Sequence, residues 1–200
     1  MKQLRQYIRQ ILLTEAAYTT KDLPDDLLVK ITDSGALFDI ELVNKSNQEP
    51  SGYNLKGLSK IDGTIRAYRD RDGDGYGNCL GAYMVSYSEA SDGWGPFLYD
   101  IAIEFATIKG NGLIADRNTV SEDAEWIWRY YMTRRNDVSS MQMDTLDNDL
   151  TPEDEDNCNQ HVSSLTDGQF GWQDSPLSKM YKKPPTTIEK LRSLGKLVEK

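Results

Sequence analysis

Histidine is nearly absent from this 200-residue chain. With His161 alone, no multi-histidine metal centre can form, and any Ser-His-Asp arrangement would depend on that one residue. Cysteine is also scarce. Cys79 and Cys158 are too few to build a disulfide scaffold, which points to a reducing compartment. No apolar run approaches the ~20 residues of a membrane span. Residues 1–16 carry basic side chains, but charge interrupts their apolar positions, so they do not read as a signal peptide. Base is in deficit: 23 Lys+Arg stand against 32 Asp+Glu, a formal charge of −9. That balance argues against broad binding to nucleic-acid backbones. A composition of 38% apolar and 10% aromatic residues is enough to bury a core, so the chain is expected to form one domain, or one domain and a tail.

The charge is uneven along the chain. Between residues 141 and 158 lie Asp144, Asp147, Asp149, Glu153, Asp154, Glu155 and Asp156, with no Lys or Arg. Residues 181–200 hold Lys182, Lys183, Lys190, Arg192, Lys196 and Lys200 against Glu189 and Glu199. The expectation is a folded body over 1–140, then over 141–200 an acidic connector and a basic terminal helix that docks on the body or on a partner. Two solvated faces are the simpler alternative. Nothing in the spacing of the acidic run orders ligands for a metal. On its own it would motivate only a DNA-mimicking inhibitor.

Leu4, Tyr7, Ile8, Ile11 and Leu12 recur at helical spacing, which predicts a helix over 2–16. Stretches 27–32 and 36–43 alternate around Asp33-Ser34-Gly35, a strand-turn-strand signal. A short strand is expected over 64–68, and a central one over 80–87. Pro96 suits the start of a helix, and Leu98, Ile101, Ala102, Phe105 and Ile108 give that helix its apolar stripe. Gly110 is placed to end it in the left-handed region. A strand over 112–115 follows. Thr119 and Glu122 have capping-box spacing before a second helix, whose Ala124, Ile127, Trp128 and Tyr131 share a face. A right-handed crossover would make the strands at 80–87 and 112–115 parallel neighbours. Thr151-Pro152 is read as the start of a short helix. Thr186-x-x-Glu189 is read as the cap of the last helix, with Ile188, Leu191, Leu194 and Val198 on one face.

A glycine turn between a strand and a helix lets backbone approach a ligand, and the helix N-terminus favours phosphate. Here the turn is Ala90-Ser91-Asp92-Gly93-Trp94-Gly95, and the second helix opens Ser121-x-x-Ala124-x-x-Ile127-Trp128. Residues 82–132 thereby resemble the core of the GNAT acyltransferase superfamily, with its Gln/Arg-x-x-Gly-x-Gly/Ala turn and its helix beginning Asn-x-x-Ala-x-x-Leu-Tyr. The leading Gln or Arg is missing, Ser stands in the Asn position and Trp in the Tyr position.

The resemblance implies an α/β fold, a mixed and mostly antiparallel sheet flanked by helices, here with an α-helical C-terminal extension. It also implies acetyl-CoA or another acyl-CoA held by Gly93, Trp94 and Gly95, with the strand backbone at Val85 and Tyr87 meeting the pantetheine arm. A helix tyrosine in that superfamily often protonates the leaving thiolate. Trp128 cannot, so Tyr131 is the expected acid and Glu125 the candidate base, with a solvated helix position as the alternative for Glu125. Asp92 and Asp100 bring the wrong sign to a phosphate site. Pro96 removes one amide. Trp94 is otherwise a packing residue or a contact anchor.

A second resemblance is to a family of proteins encoded by tailed bacteriophages. It rests on GWGPFLYDIAIEFA, GLIADRNTVSEDAEWIWRYY, LTPEDEDNC and SPLSKMYKK. It implies a host-cytoplasmic or virion setting, with phage or host proteins as partners and no membrane, and it carries no activity.

Asp70-x-Asp72-x-Asp74-Gly75 matches the first half of an EF-hand loop, but position 12 falls on Gly81 where a bidentate Glu is needed. A tight turn is the expected role and weak calcium binding the alternative, so no metal is otherwise expected. Two functions remain. One is an acyl-CoA-dependent N-acyltransferase acting on an amine. The other is a non-catalytic virion or host-interaction protein on the same scaffold. Splayed strands and an open cleft beside Gly93 and Gly95 would favour the first.

Overall fold

The computed structural model describes residues 18–51, 61–69, 81–116, 120–143 and 174–200. The helix expected over 2–16, the calcium-loop candidates Asp70, Asp72 and Asp74, Thr119, the acidic run, the short helix at Thr151, both cysteines and His161 lie outside the described residues.

Alternation of apolar and polar residues places β1 at Leu27–Asp33 and β2 at Leu37–Asn44, antiparallel across the expected turn. β3 (Gly63–Tyr68) and β4 (Tyr83–Ala90) continue the antiparallel order. The chain then forms helix α1 (Gly95–Lys109), strand β5 (Leu113–Ile114), helix α2 (Glu122–Arg134) and strand β6 (Ser139–Gln142). It ends in β7 (Lys179–Lys182), helix α3 (Thr186–Ser193) and β8 (Leu197–Glu199). These strands form one mixed sheet in the order β6-β7-β5-β4-β3-β2-β1-β8. The parallel pairs are β4–β5, as the crossover requires, and β1–β8. Among the described residues, no helix is long and apolar enough to cross a membrane.

The core lies between one sheet face and the helices. From the strands come Val29, Phe38, Ile40, Ile65, Val85 and Tyr181, and from the helices Phe97, Ile101, Phe105, Trp128 and Ile188. α1 is buried on most sides from Pro96 to Ala106, which makes it the central helix. Each such side chain stabilises the fold by about 1.5–3 kcal/mol on burial. On the opposite sheet face Ala82, Met84, Ile114, Met143 and Met180 form a second cluster.

Four local expectations change. Gly110 does not end α1 in the left-handed region; its φ is −144°, and glycine is needed because a Cβ there would lie 2.4 Å from the Gly81 carbonyl oxygen. The cap of α2 is Ser121, whose hydroxyl accepts from the Ala124 amide at 3.2 Å. The last helix stops at Ser193, leaving Leu194 exposed and Val198 in β8. The chain end therefore supplies two strands as well as a helix.

Thr186 does not cap α3 from the N-cap position, which is Pro185. The cap comes from α1 instead. Glu104 accepts from the amides of Thr187 and Ile188 at 2.8 and 2.7 Å, and its carboxylate is paired with the ammonium of Lys183. Both side chains are fully buried. Lys183 also donates to the hydroxyls of Thr186 and Thr187 at 3.0 and 3.1 Å, so the network is well satisfied.

Candidate functional site

β4 outruns its parallel partner. Their pairing consists of Tyr83–Leu113 and Met84–Ile114, and β4 continues to Ala90 without β5 alongside. At the end of β4 lies a cleft of about 680 Å³, walled by that end, by Thr64 and Ile65 of β3, by the glycine turn and by the first turns of α1 and α2. That volume falls in the range of small-molecule sites. Gly93 and Gly95 both line it. Gly93 has φ +83°, a conformation that any side chain would strain.

A bulge decides which β4 side chains face the cleft. Arg66 pairs with Tyr87 and Ala67 with Val85, so Ser86 is the extra residue. Simple alternation from Val85 would turn Tyr87 inward. After the bulge Ser88, opposite buried Ile65, takes the inner face instead. Tyr87 is half exposed, its hydroxyl bonded to Glu89. Ser88 and Tyr99, from β4 and α1, meet in the cleft with their hydroxyl oxygens 3.1 Å apart. Burial pushes the Tyr99 phenol up to about 12, helped by the Asp116 carboxylate and opposed by the Ser88 bond. The edge of Tyr99 packs on Trp128, with ring centroids 5.1 Å apart at 89°.

The residues expected from sequence are divided by the fold. Gly93 and Gly95 stand at the cleft. Val85 is buried in the core, and Trp94 is buried beneath the turn, stacked on Tyr18 at 4.7 Å. Tyr131 does not line the cleft. Its buried hydroxyl donates toward the Pro96 carbonyl at 2.7 Å and Asp100 at 2.9 Å, and burial followed by the Asp100 charge pushes its phenol well above the ordinary value. This makes Tyr131 a brace for the first turn of α1. Glu125 is buried outside the cleft as well, paired with Arg129 at 3.0 Å. Sequence reading missed Ser88 and Tyr99. A tyrosine one turn into the helix after the glycines was the available signal for Tyr99, whereas the bulge that turns Ser88 inward has none.

Asp100 faces away from the cleft. It is paired with Arg135 at 3.0 Å, although burial outweighs that charge and raises the carboxyl. The wrong sign expected of it at the turn is therefore removed by geometry. Asp92 does line the cleft but is exposed, where solvent screens its charge. Glu89 and Asp123 are the other acids on the wall, and among the described residues no Lys or Arg joins them.

Arg135 also donates to Asp137 at 2.7 Å, and this bond holds the Asp137 carboxyl below its ordinary value. A carboxyl lowered on folding contributes stability above its unfolded value of about 3.9, and that contribution disappears as pH falls through the folded value. In thermal scans below about pH 4 the wild-type midpoint should therefore drop more steeply than that of Asp137→Asn. Equal slopes would show that the pair carries no linkage. No protein-family model matches this chain, and neither a curated protein nor a solved structure does.

Proposed function

We propose that the protein is a phage-encoded N-acyltransferase of GNAT-like architecture that takes its acyl group from acyl-CoA. One observation carries the reading: β4 runs on beyond its pairing with β5, and its end walls an open cleft together with both turn glycines. The turn leaves backbone amides open to a donor, while the carboxylates on the wall oppose its phosphates. A Cβ on Gly95 would approach Ile127, another wall residue, to 3.0 Å, so the glycine keeps that part of the cleft open. The backbone of the turn and of β4 from Ser88 to Ala90 would hold the donor. Acyl-CoA, when bound, supplies an activated acyl group. Glu89, Asp92 and Asp123 on the same wall attract a cationic amine as acceptor. The same carboxylates support a second reading, a non-catalytic phage protein that binds a positively charged partner group through this cleft.

Calorimetric titration separates the two. Acetyl-CoA is expected to give saturable heat with the full-length wild type. Gly95→Trp, which fills the cleft, should weaken binding by at least about tenfold, or 1.4 kcal/mol. The thermal midpoint of the variant, measured alongside, confirms that it is folded. No heat from the wild type at millimolar acetyl-CoA would leave the binding reading in place of the enzyme.

A further inference from the structure

We infer that the cleft takes an extended segment of a partner protein in which basic and apolar residues alternate, paired with the free edge of β4 and holding its cationic side chains against the wall carboxylates. This rests on the second reading above, in which the cleft holds a positively charged partner group. Two independent observations select a peptide strand over a smaller cation. The first is in the backbone. From Met84 to Ala90, β4 is paired with β3 on one side, whereas on the other its pairing with β5 ends at Met84. Among the described residues no other strand takes up that side. Ser88, Glu89 and Ala90 lie beyond the point where β5 stops, and all three wall the cleft. Unpaired N–H and C=O groups along a strand edge are a template for one more strand.

The second observation is the chemistry that borders this edge. Successive side chains of a strand alternate between faces, so a strand added beside β4 sets every other residue on the face of Glu89 and the rest on the face of Ser88. The Tyr87 hydroxyl is bonded to the Glu89 carboxylate and holds it in place. Opposite charges on neighbouring strands attract, and a carboxylate accepts two parallel hydrogen bonds from a guanidinium. On the other face, Ile65, Leu98 and Ile127 are buried apolar residues of the wall. They suit an apolar side chain of the incoming strand.

Charge favours the same occupant. Asp92 and Asp123 stand with Glu89 on the wall, which gives it three carboxylates. Arg129 lies over the ring of Trp126 at 5.2 Å, but its pairing with Glu125 at 3.0 Å offsets its charge. A lone ammonium would meet the carboxylates and leave both the strand edge and the apolar wall unused. A basic and apolar strand uses all three.

Fluorescence anisotropy of the full-length protein with a labelled, end-blocked peptide of sequence Arg-Val-Arg-Val-Arg-Val tests this. Saturable binding is expected, weakened about three- to tenfold by Glu89→Gln combined with Asp123→Asn, two exposed substitutions, and weakened also by salt. Amides of alternate residues point to the same side of a strand, so methylating the three valine nitrogens or the three arginine nitrogens blocks opposite edges of the peptide. One methylated form should lose at least about tenfold and the other stay within about threefold. Equal effects of the two methylations, or binding of hexa-arginine but not of the alternating peptide, overturn strand pairing and leave the cation reading standing. Affinity unchanged in the Glu89→Gln/Asp123→Asn variant places the peptide outside the cleft and overturns the inference. Absence of binding by either peptide overturns the cation reading beneath it.

Discussion

Glu104→Gln is expected to lower the unfolding free energy by about 3–5 kcal/mol, the usual cost of leaving a buried charge without its partner. At about 2–4 °C per kcal/mol for a chain of this size, the thermal midpoint should fall by roughly 6–20 °C. The variant leaves the buried Lys183 ammonium with hydroxyl partners and, as counter-charge, only the half-exposed Asp137 carboxylate 3.8 Å away, and it weakens the cap on the amides of Thr187 and Ile188. Lys183→Met should cost less. Its carboxylate partner keeps two backbone amides and the favourable end of α3, which together stabilise an anion. Urea unfolding of both variants checks the order. If Lys183→Met proved the more damaging, Glu104 would not be the hub that ties the chain end to α1.

That hub explains why the chain end was hard to read in advance. Ile188 and Leu191 were legible as an apolar face, and both are buried. The spacing of Thr186 and Glu189 suggested a local cap, but the carboxylate that does the capping lies 83 residues earlier, next to Thr187 in space alone. No local pattern reports such a partner. Local signals did define the β1–β2 hairpin, α1 and the parallel placement of β4 and β5, because turn chemistry, helical periodicity and crossover handedness act over short distances. β7 was not legible. Met180 and Tyr181 face opposite clusters of the core, so its four residues carry no half-buried alternation.

The candidate site was legible in the same uneven way. Gly93 and Gly95 could be placed from strand-turn-helix order alone. Tyr131, the expected acid because it lies near Trp128, is buried, but its hydroxyl meets Pro96 and Asp100 of α1, while the same helix face reaches the cleft through Ala124 and Ile127. Helical periodicity identifies which residues leave solvent but not which cavity they approach. The inward turn of Ser88 depends on one inserted residue, Ser86, which changes every later β4 side chain from one face to the other.

Trp128→Ala is expected to cost about 3–5 kcal/mol, the loss for truncating a fully buried aromatic side chain. Trp128 stacks on Tyr181 at 4.9 Å and meets the edge of Tyr99, so it joins β7 to the cleft wall. Trp128→Phe should cost roughly half as much, because a ring remains for both contacts. The more informative change is Trp128→Tyr, which puts a phenol where the GNAT pattern has one. Position 128 does not line the cleft, so the new hydroxyl would be delivered into the packed core. A buried hydroxyl without a good acceptor costs about 1–3 kcal/mol, with no gain in transfer. Unfolding curves and acyl-transfer rates on the same protein samples decide the matter. On the acyltransferase reading, faster transfer by Trp128→Tyr would mean that position 128 reaches the cleft after all. A less stable protein is what the ring contacts of Trp128 with Tyr99 and Tyr181 predict, since the tryptophan holds the cleft wall to β7.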